Sequence, residues 1–268
     1  MQKDIHFYLT FALGTKMGIQ LEEIECIAWA DQFTDELTQP QVHGLQTQTS
    51  TLGNWIEKQI QATVIMPFHF IPGDDSSYPW MTTADSSRAR KLVEAARGDP
   101  LGLGIALHAY QDTFSHQGFS GWEEPLNGCF PWYSPEAALP NVGHAELRAV
   151  PDVTNYVWTD PRSGVKVDNR VRAMQAAKAT WERLSSIYAP QMGSSHWSAL
   201  KPALKEIFRK DSYDERVVAL CRLSGNPNLD YKEVCSRLTL AYSSGFIRAA
   251  SLHLSRVLYL CGDLPWGS

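Results

Sequence analysis

The sequence predicts an all-α fold, a single multi-helix bundle domain over residues 1–268 with a long irregular loop region at about 118–168. Three observations carry that reading. Apolar residues recur at about 3.6-residue spacing through the central stretch LGLGIALHAYQDTFSHQGFSG and through most of the chain after Asn169. Gly and Pro fall at the ends of these stretches, where helices stop. Extended patterning is confined to a β-branched run near Val64 and a turn or small hairpin at Trp158 to Asp168. A chain of 268 residues can bury most of its apolar surface without covalent staples.

Taken in order, Phe7, Leu9, Phe11, Ala12 and Leu13 mark a short buried helix ending at Gly14 or Gly18, with His6 at its start. A lone histidine near a terminus is more often packing or surface than ligand. Leu21 to Leu37 is a stronger helix: Leu21, Ile24, Ile27, Ala28 and Ala30 keep helical spacing, and Glu22, Glu23 and Glu25 suit its positive N-terminal end. Its last turns align Asp31 and Asp35 on one face, which a nearby cation or plain solvation explains equally well. Gln39 to Asn54 is a polar loop holding His43. The run before Pro67 reads as extended, and His69, flanked by Phe68 and Phe70, is expected to be partly buried and a candidate ligand. A helix from about Thr83 to Arg97 presents Arg88, Arg90, Lys91 and Arg97 as a solvated face. Helices follow at Asn169 to Tyr188, Trp197 to Arg209, Ser212 to Leu223 and Tyr231 to Tyr259, where His196 and His253, like His43, read as structural or surface.

The central stretch is the most informative. His108, Asp112 and His116 stand at i, i+4 and i+8; four residues advance about 400° around a helix, so the three form one polar stripe drifting ~40° per step. The surrounding Leu, Ile, Ala, Tyr and Phe direct that stripe into a core, where each unpaired polar group costs several kcal/mol. Two arrangements satisfy it: a shared metal ion, or a hydrogen-bonded core in which Asp112 orients two histidines.

Composition narrows the partners. A net charge of −5 argues against a duplex-DNA binder, which normally carries a basic face. Cys26, Cys129, Cys221, Cys235 and Cys261 are odd in number, widely spaced and without a CxxC pair, a pattern of reduced thiols. The N-terminus lacks a long apolar region followed by a small-residue cleavage site, and no segment has the 18 or more apolar residues of a membrane span. These features lead us to expect a cytoplasmic protein.

The ordered series His6, Asp31 or Asp35, His69 in FHF, His108 and Asp112 in ALHAYQD, His116, and His144 with Glu146 or Asp152 after it resembles the zinc-dependent phospholipase C and single-strand-specific zinc nuclease superfamily. IALHAYQDTFSHQGFSG together with GHAELRAVPD is most similar to an uncharacterised, cytoplasmic branch of it. The resemblance covers about residues 4–152. It implies an all-helical fold with a cluster of two or three zinc ions held between helices by His6, Asp35, His69, His108, Asp112, His116, His144 and Asp152 or Glu146; manganese or iron suits the same ligands. Secreted members use the amino group of a mature N-terminal Trp as a ligand. This chain begins MQKD, so that position is lost or rebuilt, with Asp4 the nearest substitute. The superfamily also spaces its central Asp and next His more widely, with a proline between, whereas Asp112 and His116 are four apart on what reads as one continuous helix.

The resemblance implies a metal-dependent hydrolase acting on a phosphoester. Asp112 would bridge two ions, a hydroxide formed on the metal would attack, and Asp31 or Asp35 would orient the water as general base. Trp122, Trp132 and Tyr133 would shape the pocket, or simply pack their loop against the domain. Two other readings keep the cluster: a tailoring enzyme, hydrolase or lyase, acting on a small molecule without phosphate, and a non-catalytic metal-stabilised binding protein.

Overall fold

The chain enters the core at once. In the computed structural model, which describes residues 1–42, 45–192 and 194–262, a π-helical stretch Asp4–Leu9 runs directly into α1 (Thr10–Lys16), and every residue from Asp4 to Gly14 is buried. The helix stops just before Gly18, whose φ of +75° is a left-handed turn that glycine takes without steric cost. α2 (Leu21–Phe33) begins with Glu22 and Glu23 in its first turn, complementing the helix dipole. It ends short of the expected Leu37, so Asp31 lies in its last turn and Asp35 in the turn that follows.

A two-stranded ribbon, β1 (Gln41–Val42) with β2 (Leu45–Gln46), replaces part of the expected polar loop. His43 lies outside the described residues. The run before Pro67 is helical rather than extended: α3 (Lys58–Ile60), a π-helical stretch Gln61–Ile65 and α4 (Met66–His69) follow one another without a break. Pro67 follows closely on the π-helical stretch, and Ala62, Val64 and Ile65 are buried, so packing overrides their strand propensity. α5 (Ser87–Ala95) is capped by Ser86, whose hydroxyl accepts the Ala89 N–H at 3.2 Å.

α6 (Pro100–Ser115) is the hub. It is buried from Gly102 to Ser115, and α2, α4, α5, α7 (Asn169–Tyr188) and α10 (Tyr231–Cys261) all pack on it. The expected continuous helix through His116 stops one residue earlier: His116 is the C-cap, its N–H donating to the Asp112 carbonyl at 2.9 Å. Beyond it the chain is irregular, as expected, with short 3-10 turns and a hairpin of β3 (Val157–Thr159) and β4 (Lys166–Asp168). α8 (Ser194–Phe208), α9 (Tyr213–Ser224) and α10 complete the bundle, so the fold is all-α. The main core draws Phe7, Phe11, Trp29, Tyr110, Trp181 and Phe246 from both ends of the chain. None of the described helices is long and apolar enough to cross a membrane.

One glycine sets how closely α2 approaches α6. A Cβ on Gly104 would lie 2.3 Å from the Ile27 carbonyl oxygen and 2.9 Å from the Asp31 nitrogen, both backbone atoms that have nowhere to go. Gly104→Ala is therefore expected to cost about 1–3 kcal/mol in urea unfolding. Gly53→Ala, at a position with nothing within 4 Å, serves as the neutral control.

α10 is tied to α4 by His253, which is buried as expected of a structural histidine; His196, on α8, is exposed. His253 Nε2 donates to the Pro67 carbonyl at 2.9 Å, the ring stacks on Phe68, and burial pushes its pKa down from 6.5 to about 4. The unfolded chain takes up this proton first, so stability falls as the pH drops through that window, by up to roughly 3 kcal/mol. Urea unfolding at about pH 7 and about pH 5 is expected to show this acid loss in the wild type and a smaller one in His253→Gln.

Candidate metal centre

Asp112 lies at the middle of the site, 1% exposed, and its two carboxylate oxygens face different partners. Oδ2 is 3.3 Å from His108 Nε2 and 3.4 Å from His69 Nδ1. Asp35 Oδ1 completes a group of four: it is 3.5 Å from His108 Nε2 and 3.7 Å from His69 Nδ1, and the two ring nitrogens are 3.1 Å apart. Four donors held about 2.0–2.1 Å from one tetrahedral ion stand about 3.3–3.4 Å from each other. His69, His108 and Asp112 have that spacing, at 3.1–3.4 Å, and Asp35 stands slightly farther, at 3.5 and 3.7 Å from the two ring nitrogens.

The tautomers agree with it. A carbonyl oxygen can only accept, so His69 Nε2, 2.6 Å from the Thr49 carbonyl, carries the proton, and Nδ1 presents its lone pair to the group. His116 and His144 are held the same way. Their Nδ1 atoms donate to the carbonyls of His69 at 2.6 Å and Arg148 at 2.7 Å. Their Nε2 atoms meet the two oxygens of Asp152, at 3.1 Å and 3.3 Å. His116, His144 and Asp152 thus form a second group of three donors, each imidazole fixed by a backbone acceptor as metal-ligating histidines commonly are.

A third position lies on the other oxygen of Asp112. Asp112 Oδ1 accepts from the Met1 amino group and is 3.3 Å from His6 Nε2. His6 is wholly buried and stacks on His108, and its Nε2 has no hydrogen-bond partner among the described residues. Behind the two rings sits Asp31. It lies 3.0 Å from His6 Nδ1 and 3.6 Å from His108 Nδ1, and the Thr10 hydroxyl donates to its other oxygen at 2.8 Å. Asp31 can join His6 and His108 in a ligand set, or orient both rings from behind.

Charge is concentrated here. Working against its desolvation, His116, the Met1 amino group and His108 hold Asp112 well below the usual carboxylate range. The Met1 amino group does the same for Asp152. In return, and again against burial, Asp35 and Asp112 hold His108 up to about 10, and Asp112, Asp152 and Asp35 hold the Met1 amino group up to about 11. His144 is different: burial pushes it down to about 4, leaving it neutral, the form that binds metal.

A cavity of about 250 Å³ opens over these groups, lined by Met1, Asp35, His69, Asp112, His116, His144 and Asp152 among others. The family model for a family of unknown function, DUF6765, matches residues 1–251, the entire site and nearly all of the bundle. The chain belongs to DUF6765. Comparisons with curated proteins and with solved structures found no match.

Most of the residues expected from the sequence converge in this DUF6765 site. His6, Asp31, Asp35, His69, His108, Asp112, His116, His144 and Asp152 all fall within one of the three donor groups or beside it. Glu146 does not: its Oε2 accepts the backbone N–H groups of Cys129 and Phe130, at 2.6 and 3.0 Å, so Asp152 is the carboxylate that joins His144. Asp4 is not the substitute for an amino group. It pairs with Arg216 at 2.6 Å and accepts from Thr154, while the Met1 amino group itself lies at Asp112. Asp31 is wholly buried and outside the cavity lining, which leaves Asp35 as the acid of that pair facing the cavity.

The expected pocket aromatics lie elsewhere. Trp122 packs with Ala62 and Met66, and Trp132 is 90% exposed. Trp55 and Phe70 line the cavity instead, Phe70 stacked on His116 with centroids 4.3 Å apart. Sequence reading also missed Ser50, Thr51 and Arg148 in the lining; Phe70, next to His69, was the one with a signal in its neighbour. Arg148 has φ +52° and ψ −129°, a conformation that costs a non-glycine residue about 1–3 kcal/mol.

In the DUF6765 centre an incoming ion competes with protons on His108 and on the Met1 amino group. Zinc affinity is expected to rise with pH between about 6 and 8, by about tenfold per pH unit for each proton displaced. Titration with a zinc indicator at several pH values, with proton uptake or release followed in parallel, checks this; an affinity that is flat or falls with pH contradicts it.

Proposed function

We propose that this chain is a metal-dependent hydrolase that binds two or three zinc ions and cleaves a phosphoester, manganese or iron being served by the same donors. The observation that carries the reading is the three-donor group of His69, His108 and Asp112, with atoms 3.1–3.4 Å apart and Asp35 beside it, beneath an open cavity that His69, Asp112 and Asp35 line. His116, His144 and Asp152 would hold a second ion, and His6 with Asp112 Oδ1 a third. The donor set fits: its imidazole tautomers are fixed by backbone carbonyls, and His6 Nε2 is a buried polar atom left without a hydrogen bond. Bound there, divalent ions supply Lewis-acid stabilisation of charge on a phosphoryl oxygen and an acidified water.

The chain's own residues do the rest. Asp112 turns one oxygen to each side and so keeps neighbouring donor groups in register. Asp35, a third exposed at the cavity floor, is the carboxylate placed to take a proton from a water there. Asp31 holds His6 and His108 from behind. Phe70 and Trp55 give the cavity apolar walls that limit competing water. A volume of about 250 Å³ is small beside the ~300–1,000 Å³ of typical ligand pockets, which favours a substrate whose phosphoryl group enters while the remainder stays outside. It equally suits the tailoring reading, in which a small molecule without phosphate enters whole. An open cavity over the donors favours both enzymatic readings over a structural cluster, whose coordination is normally closed. Five free thiols suit action in the cytoplasm.

Elemental analysis of purified protein is expected to find at least two zinc, manganese or iron ions per chain. Asp112→Ala is expected to lose at least one of them and at least about 100-fold of kcat/KM on bis-nitrophenyl phosphate, since even outer-shell changes cost 10–100-fold. Full metal occupancy in Asp112→Ala would sink the cluster. Silence of the metal-replete wild type on bis-nitrophenyl phosphate, single-stranded nucleic acid and phosphatidylcholine would leave the tailoring reading in its place.

A further inference from the structure

Among the residues lining the cavity, Arg148 is the one lysine or arginine. The other charges there are the carboxylates of Asp35, Asp112 and Asp152 and the Met1 amino group, which is already engaged with Asp112 and Asp152. Arg148 is exposed, and its guanidinium has no hydrogen bond or ion pair among the described residues. A residue lining the cavity thus carries a cation that no protein carboxylate neutralises among the described residues.

Its backbone is held in place. The 3-10 turn Ala145–Leu147 is pinned from the side by Glu146, which accepts the Cys129 and Phe130 N–H groups. Arg148 follows that turn, and the Val150 N–H donates to the Leu147 carbonyl at 3.1 Å, closing a second tight turn with Arg148 at its first central position. With φ +52° and ψ −129° this matches the type II′ turn, where glycine is the residue that backbone geometry asks for. The conformation has a use, since it turns the Arg148 carbonyl onto His144 Nδ1 at 2.7 Å. Glycine would provide that carbonyl equally well, so the backbone does not account for an arginine.

We propose that Arg148 is the anion anchor of this site: its guanidinium binds non-bridging oxygens of a phosphoryl group while the donor groups of Asp112 and Asp152 face the same group from the cavity floor. The assignment rests on the phosphoester reading and sharpens it to substrates with an anionic phosphoryl group at the cavity mouth. Guanidinium suits this role because its planar N–H pairs match two phosphoryl oxygens at once, which a lysine ammonium cannot do. Arg148 is a binding residue here; the metal donors are complete without its side chain.

The test uses full-length zinc-loaded protein and inorganic phosphate as the probe, with affinity read by calorimetry and zinc content measured on the same samples. Arg148→Ala is expected to weaken phosphate at least tenfold with zinc content unchanged, and Arg148→Lys to fall between it and wild type. Arg148→Gly separates side chain from backbone: it keeps the turn and the carbonyl to His144, and is expected to lose phosphate as Arg148→Ala does while melting at or above the wild-type temperature. With bis-nitrophenyl phosphate the alanine variant is expected to raise KM more than it lowers kcat. Phosphate affinity within twofold of wild type in zinc-replete Arg148→Ala and Arg148→Gly overturns the anchor and leaves the metal reading standing. Zinc-loaded wild type that binds no phosphate also overturns the anchor, and wild type that holds no metal overturns both.

Discussion

The constraint on which the rest of this structure depends is a buried negative charge. Asp112 is deep in the bundle, on a buried and largely apolar helix, and a carboxylate there is tolerated only with partners of opposite charge and hydrogen-bond donors on both oxygens. The Met1 amino group and His108 meet that demand, and His6, His69 and His116 crowd the same carboxylate from other parts of the chain. Each of those segments must then pack against α6. The close approach of α2 at Gly104, which brings Asp31 and Asp35 to the same helix, is part of that arrangement.

How legible this was in the sequence depends on which forces fix each part. His108 and Asp112 could be placed because helix periodicity alone puts i and i+4 on one face, and their apolar neighbours leave no doubt about which way that face turns. Helices from Asn169 onward were legible for the same reason, with Asp168, Ser212 and Asp230 as side-chain caps and Gly225 in the left-handed conformation after α9. The run before Pro67 was not, because Val64 and Ile65 favour strands locally and only burial against the rest of the core makes that stretch helical. Glu146 and Asp152 could not be separated by spacing: a strained turn at Arg148 reverses the chain, sending Glu146 towards Cys129 and bringing Asp152 back to His144. The Met1 amino group has no side-chain signal at all.

The two π-helical stretches are a second feature that pattern reading does not reach. One contains His6, and the other leads directly into the short helix that ends at His69. A π turn places one extra residue in the turn and so rotates everything after it relative to a regular α-helix; such turns concentrate at functional sites. His6 must face Asp112 while Asp4, two residues earlier, pairs with Arg216 and Thr154. Both are buried polar contacts with distant parts of the chain, and the widened turn is the local geometry in which both are made.

Where the protons of this cluster are allowed to be is what bears on the choice between a cation site and a hydrogen-bonded polar core. A buried network without an ion is satisfied when every donor meets an acceptor. Here backbone carbonyls of Thr49, His69 and Arg148 take the ring protons of His69, His116 and His144, which turns three lone pairs inward. Two of them meet Asp152, which accepts but cannot donate when ionised, and the third, His69 Nδ1, meets His108 Nε2 and the oxygens of Asp35 and Asp112. Lone pairs facing carboxylates are an unfavourable arrangement unless a cation stands between them, whether a proton or a metal ion. His108 and the Met1 amino group, both held strongly protonated by the surrounding aspartates, are the cations the chain itself supplies to its central carboxylate. The Met1 amino group also reaches Asp152, at 3.3 Å, while His144 is kept neutral by burial beside that carboxylate.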